Sequence, residues 1–111
     1  MKISIQDYND VTVVELQGEF DCDSSELFIN TISDIIAGSI SNIVLDMSCV
    51  GFIDSKGLED LLWARDYCNQ NRRELRLAGL DDNCERILEI TQLNNEFDKY
   101  AELTEAVKSF A

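Results

Sequence analysis

The sequence predicts an α/β domain built on a mixed, mostly parallel sheet of about four to five strands with about four helices. Three observations predict it. Runs of alternating or β-branched residues trade places along the chain with amphipathic segments of helical period. Acidic residues three positions before a Glu mark two helix starts, at Asp23 and Asp82. No proline, repeat or low-complexity run divides the 111 residues, so one domain over 1–111 is expected.

The elements follow in order. Residues 2–6 suit a short edge strand. Residues 11–18, rich in Val and Thr, read as a strand that ends on Gly18. Asp23 and Glu26 form a capping-box spacing ahead of Leu27, Phe28, Ile32, Ile35 and Ile36, which predicts a helix over about 24–37 with Gly38 as its stop. Residues 42–47 form an apolar run suited to a buried strand. A loop over 48–53 leads to Asp54 and Ser55, and a second helix covers about 56–70. Residues 75–79 alternate like a strand. Asp82 and Glu85 open a third helix over about 82–91, residues 97–100 suit a last short strand, and a final helix runs over about 103–110. The order is β-β-α-β-α-β-α-β-α, which calls for crossover helices between parallel strands. Whether the helices take one face of the sheet or both is left open.

Composition excludes several classes of function. With 22 acidic and 9 basic residues the net charge is −13, a surface that repels phosphate backbones and anionic lipid heads, so no direct nucleic-acid binding is expected. The same charge suits a basic protein partner, and equally serves solubility alone. Histidine is absent, which removes Ser-His-Asp and Cys-His nucleophiles and histidine metal sites. The cysteines, Cys22, Cys49, Cys68 and Cys84, are too widely spaced for a zinc site and are expected to be buried thiols. No metal or cofactor is expected. No apolar run approaches the ~20 residues that span a membrane, and the N-terminal residues lack a signal-peptide core, so membrane insertion is not expected and the cytoplasm is the expected location.

The most informative segment is Asp54-Ser55-Lys56-Gly57-Leu58. It sits where a loop turns into a helix, and either Asp54 or Ser55 can cap that helix. A phosphate at a helix N-terminus meets unpaired N–H groups and a partial positive charge, so Ser55 can take one without loss of the fold. Gly57 costs a helix roughly 1 kcal/mol relative to Ala. Near the first turn it lets a partner backbone or phosphate approach closely. Simple capping explains Asp54-Ser55 as well. Along the helix, Leu58, Leu61, Leu62 and Cys68 form the expected core stripe. Lys56, Glu59, Asp60, Trp63 and Tyr67 fall opposite, and Trp63 and Tyr67, four residues apart, should touch. Aromatics on a polar face read as a partner surface, or as side chains covered by another element or packed only on each other.

The stretch from Ile43 through Asp46 to Asp54-Ser55-Lys56-Gly57-Leu58 resembles the signature of STAS domains, found in anti-sigma factor antagonists and sulfate transporters. Leu16 to Asp21, Leu75 to Gly79, Ile87 to Leu93 and Thr104 to Val107 match other parts of that family in the right order, so the resemblance covers nearly the whole chain. It implies a STAS-type fold. In the antagonist branch it further implies that a serine at the place of Ser55 is phosphorylated by a partner that is both anti-sigma factor and serine kinase. The unphosphorylated form binds that partner, the phosphorylated form releases it, and a metal-dependent serine phosphatase restores the first state. Acidic residues at the places of Asp21 and Asp54 lie near the serine. Two positions depart from the family pattern. Lys56 replaces a small residue and is able to pair with a phosphate or alter kinase choice, and Gln92 stands where many members carry Gly.

The resulting expectation is a non-enzymatic switch with Ser55 as phosphoacceptor and Asp21, Asp54, Lys56, Gly57, Glu59, Asp60, Trp63 and Tyr67 toward the partner. The alternative is a STAS subunit that docks on a transporter ATPase without phosphorylation. An enzyme with Ser55 as nucleophile is disfavoured, since Gly-x-Ser-x-Gly and a histidine base are both missing.

Overall fold

The structure is a computed structural model and describes residues 1–8 and 10–110. Its elements are β1 (Lys2–Tyr8), β2 (Val11–Gln17), a 3-10 turn (Cys22–Ser24), α1 (Ser25–Gly38), β3 (Asn42–Cys49), α2 (Ser55–Gln70), β4 (Leu75–Ala78), α3 (Asp82–Ile90), β5 (Asp98–Tyr100) and α4 (Leu103–Lys108). Apart from the added 3-10 turn, the order is the expected one. The strands lie side by side in sequence order, with β1 antiparallel to β2 and every later pair parallel.

Helices cover both faces. On one face Val14, Leu16, Ile43, Leu45, Met47, Leu75 and Leu77 pack with Phe28, Ile32 and Ile36 of α1, Leu61 and Ala64 of α2, and Cys84 and Leu88 of α3. The opposite face presents Val11, Val13, Val44 and Ala78, which α4 covers with Ala106, Leu103 and Val107. Strand alternation assigns each residue to its face. The length of β1 follows from its partner: it pairs with β2 from Lys2↔Gln17 to Tyr8↔Val11, two residues beyond the expected end.

Two expected helix starts are corrected. Asp23 does not cap α1. Asp21 caps the 3-10 turn instead, accepting from the Asp23 N–H at 3.0 Å, while the Ser24 hydroxyl accepts from the Asp21 N–H at 3.1 Å. The capping box is real but sits two residues earlier. At α3 the cap is Asp81, whose carboxylate accepts from the Cys84 N–H at 2.8 Å, one residue before the expected Asp82. In a run of adjacent acids, spacing alone does not select the one whose backbone is extended.

The face of α2 is also turned from the expected one. Its buried residues are Gly57, Asp60, Leu61, Ala64 and Cys68, whereas Leu58 and Leu62 are half-buried. Small residues lie deepest because they let the helix axis approach the sheet. An added Cβ at Gly57 would lie 2.4 Å from the Phe20 carbonyl oxygen.

Candidate functional site

The site forms where β2 and β3 part at their C-terminal ends. A register shift after Glu15 loosens the pair, and an isolated parallel bridge, Phe20↔Ile53, rejoins it. The Phe20 N–H donates to Phe52 O at 2.9 Å and the Asp54 N–H donates to Phe20 O at 3.1 Å. This bridge sets Asp21 and Asp54, each one residue further on, at the same end of the sheet. Crevices at the carboxyl ends of parallel strands are where open α/β sheets bind their ligands.

Asp54 is the N-cap of α2: its backbone is extended and Oδ1 accepts from the Gly57 N–H at 2.8 Å. Ser55 is therefore the first helical residue. It is exposed, and among the described residues its hydroxyl bonds to no other side chain. Gly57 is buried against Phe20 and Ile53, so the close approach it permits is internal. Asp60 is only 1% exposed. These two corrections remove Gly57 and Asp60 from the expected partner-facing surface, which they support from beneath.

Lys56 lies 3.6 Å from Glu59 and 3.6 Å from Asp60, both one turn further along the helix. The second oxygen of Asp60 has no partner among the described residues. Trp63 and Tyr67 do touch: their rings stack 5.0 Å apart at 13°. Both are half-buried and pack against the main core, so a covering role and an outward edge coexist. Leu58 and Leu62 lie on the other flank of α2.

That other flank holds what the sequence reading missed. Phe52, Ile53, Asp54, Ser55, Leu58, Ile87, Ile90 and Thr91 line a groove of about 400 Å³ between the start of α2 and α3. Phe52 is 45% and Ile90 72% exposed, so the apolar walls are open beside the serine. A signal existed: Ile90, an apolar residue, falls on a different side of α3 from its core residues Cys84 and Leu88, while Ile87 at the edge of that core packs partly against it. The Asn83 side-chain amide donates to Gly51 O at 2.7 Å and ties the groove's loop to α3.

The thiols divide. Cys68 and Cys84 are buried, as expected, but Cys22 and Cys49 are exposed, which corrects the expectation for those two. Burial pushes the Cys84 thiol up to about 12, and the neighbouring Asp81 adds to it. Cys84 donates to Val50 O at 3.3 Å and is inert as a nucleophile. Among the described residues no cluster of His, Cys, Asp or Glu is placed to hold a metal, and no helix is long and apolar enough to cross a membrane.

The STAS domain pattern matches residues 2–107. The chain belongs to the STAS domain family. Among curated relatives of this STAS chain, the anti-sigma-F factor antagonist RsfB of Mycobacterium tuberculosis is 28% identical over 91 residues, 71% of this chain and 75% of RsfB. Among solved structures, an anti-sigma factor antagonist from Mycobacterium paratuberculosis superposes with a TM-score of 0.86 at 24% identity, over 97% of this chain and 92% of that one. The phosphorylated form of the Bacillus cell fate determinant SpoIIAA superposes with a TM-score of 0.77 at 19% identity, over 99% of this chain and all (100%) of that one. These likenesses establish the STAS fold as a five-stranded sheet with one antiparallel pair and four helices among the described residues.

Proposed function

We propose that this STAS domain is a cytoplasmic anti-sigma factor antagonist that works as a phosphorylation-controlled interaction switch. Unphosphorylated, it binds an anti-sigma factor that is also a serine kinase; phosphorylated on Ser55, it lets go, and a metal-dependent serine phosphatase restores it. The observation that carries this reading is the position of Ser55, exposed at the first residue of α2 and on the rim of an open apolar groove. A groove there gives a partner apolar area to bury, and the serine at its edge lets one phosphate interrupt the contact.

The chain's own chemistry fits a substrate and not a catalyst. The neighbouring carboxylate, Asp54, spends Oδ1 on the Gly57 N–H. With no histidine in the chain, the general base, ATP and Mg²⁺ have to come from the kinase. Once in place, a dianion beside Asp54 and Asp21 adds like-charge repulsion and a desolvation penalty to any docked interface. Each ~1.4 kcal/mol lowers affinity tenfold, so a few kcal/mol release the partner. Phe52, Ile87 and Ile90 join Asp21, Asp54, Lys56, Glu59, Trp63 and Tyr67 as the surface offered to that partner.

The test pairs the purified protein with a kinase-type anti-sigma factor of its own organism and ATP–Mg²⁺. Mass spectrometry is expected to find phosphate on Ser55. Ser55→Ala should bind whether or not ATP is present, and Ser55→Asp should bind at least about tenfold more weakly. Equal binding by the two variants would sink the switch. Recovery of a transporter ATPase as the partner, with Ser55→Ala harmless, would favour the docking-subunit alternative.

A further inference from the structure

Lys56 directly follows the phosphoacceptor and looks like its natural counter-ion. The geometry points to a different arrangement: we infer that Asp60 is a positioning residue that holds Lys56 away from Ser55, so that a phosphate on Ser55 keeps its charge unpaired. The inference deepens the switch reading and takes its biological meaning from it.

Consecutive helical residues stand about 100° apart and do not face each other, whereas residues three and four apart do. Lys56 obeys this rule. Its ammonium lies 3.6 Å from Asp60 Oδ1 and 3.6 Å from Glu59 Oε2, and so points one turn along α2, away from the helix start. The two carboxylates are not equivalent. Glu59 is an exposed side chain, and a pair between exposed groups is weak and screened. Asp60 is 1% exposed, its other oxygen has no partner, and among the described residues Lys56 is its only ion-pair partner. Removing the cation from a buried carboxylate leaves an uncompensated charge in a poorly polarisable surrounding. A phosphate on Ser55 would sit at an exposed position, where water already solvates it and its attraction for an ammonium is weakened. Asp60 therefore wins the competition for Lys56.

The other basic residue of α2, Arg65, is ten positions along, about 15 Å at 1.5 Å per residue, and is committed to Asp66 and Glu96. No cationic side chain of α2 is left to neutralise the phosphate. No cation from α2 then offsets its repulsion with Asp54 and Asp21. Asp60 is thus the residue that makes a lysine beside the phosphoacceptor compatible with a charge switch.

The test needs no kinase. Phosphoserine is incorporated at position 55 during translation, and the second ionisation of the phosphate, ordinarily near ~6, is followed by phosphorus NMR against pH at low salt. Four proteins are compared: the natural sequence, Lys56→Met, Asp60→Asn and the double variant. The helix N-terminus, Asp21, Asp54 and Glu59 are common to all four. The natural protein and Lys56→Met should agree within about 0.3 unit. Asp60→Asn should lower the value by about 1 unit, roughly tenfold in proton affinity, because Lys56 is freed to reach the phosphate. Adding Lys56→Met to Asp60→Asn should abolish that shift. The idea is overturned if Lys56→Met alone raises the value by about 1 unit, which would mean that Lys56 already pairs with the phosphate. It is overturned equally if Asp60→Asn leaves the value unchanged, or lowers it just as much in the double variant. Should Asp60→Asn not fold, the natural protein against Lys56→Met decides the question. Because the phosphate is installed without a kinase, a negative kinase assay sinks the switch and leaves this result standing.

Discussion

Gly57 illustrates how one residue's environment can reverse its propensity. In an isolated helix Ala would be better than Gly by about 1 kcal/mol. Here an added Cβ would meet the Phe20 carbonyl oxygen at 2.4 Å, and Ile53 Cγ2 and Phe20 Cδ1 at 2.9 Å. The first of these is backbone, held in place by the Asp54 N–H. Gly57→Ala is therefore expected to destabilise the fold by about 1–3 kcal/mol, the usual cost of overpacking, and to lower the urea midpoint followed by circular dichroism. An unchanged or higher midpoint would mean that α2 can shift and that Ser55 is not held tightly in place. Ser55 itself needs no support from its own side chain, since Asp54 caps the helix. That division of labour leaves the hydroxyl available for modification.

At the scale of elements, α2 and α3 end in the same way. Arg73 N–H donates to Cys68 O and Leu93 N–H to Leu88 O, each at 2.8 Å, while Arg72 N–H donates to Asn69 O and Gln92 N–H to Glu89 O, each at 3.1 Å. This paired closure places the residue after the cap in the left-handed region, with φ of 61° at Arg72 and 62° at Gln92. A side chain there costs roughly 1–2 kcal/mol that Gly avoids. Gln92 thus keeps the geometry that Gly would adopt freely and accepts the strain. Gln92→Gly should raise stability by about 0.5–1 kcal/mol, less than the full strain because Gly also loosens the unfolded chain. Urea unfolding checks it, and a lower midpoint would show that the Gln92 side chain contributes more than its strain costs.

For the whole molecule, the charge of −13 is spread over a body measuring 33 × 28 × 24 Å. At about 0.01 M salt the screening length is ~30 Å, so each charge acts across the protein; at about 0.1 M it falls to ~10 Å and only neighbours matter. Self-repulsion favours expansion, so the urea midpoint is expected to rise between these two salt concentrations. A midpoint that falls instead would mean that local pairs such as Arg65–Glu96 and Lys99–Glu85 outweigh the net charge. Docking of a basic partner should show the opposite trend, with association slowing as salt increases.

Element order, the mostly parallel sheet and the serine at the head of α2 were legible in the sequence, because alternation, helical period and the Asp-Ser-x-Gly-Leu run are local signals along the chain. Spacing also anticipated the contact of Trp63 with Tyr67. What only the tertiary structure decided is what each helix turns toward. Leu58 and Leu62 read as core yet are half-buried, Asp60 and Gly57 read as surface yet are buried, and Ile90 stands open beside Ser55. Apolar periodicity gives the direction of a helix's greasiest stripe, but burial depends on how near the neighbouring backbone comes. Here that distance is set by Gly57 against Phe20, a contact between residues far apart in the chain. The nearby bridge of Phe20 to Ile53 sets Asp54 and Asp21 at the same end of the sheet, and packing of α3 on the shared core adds the groove. The sequence by itself determined that a serine stands at the head of α2; the packed structure decided which surface surrounds it, because surfaces are made by contacts that no local period encodes.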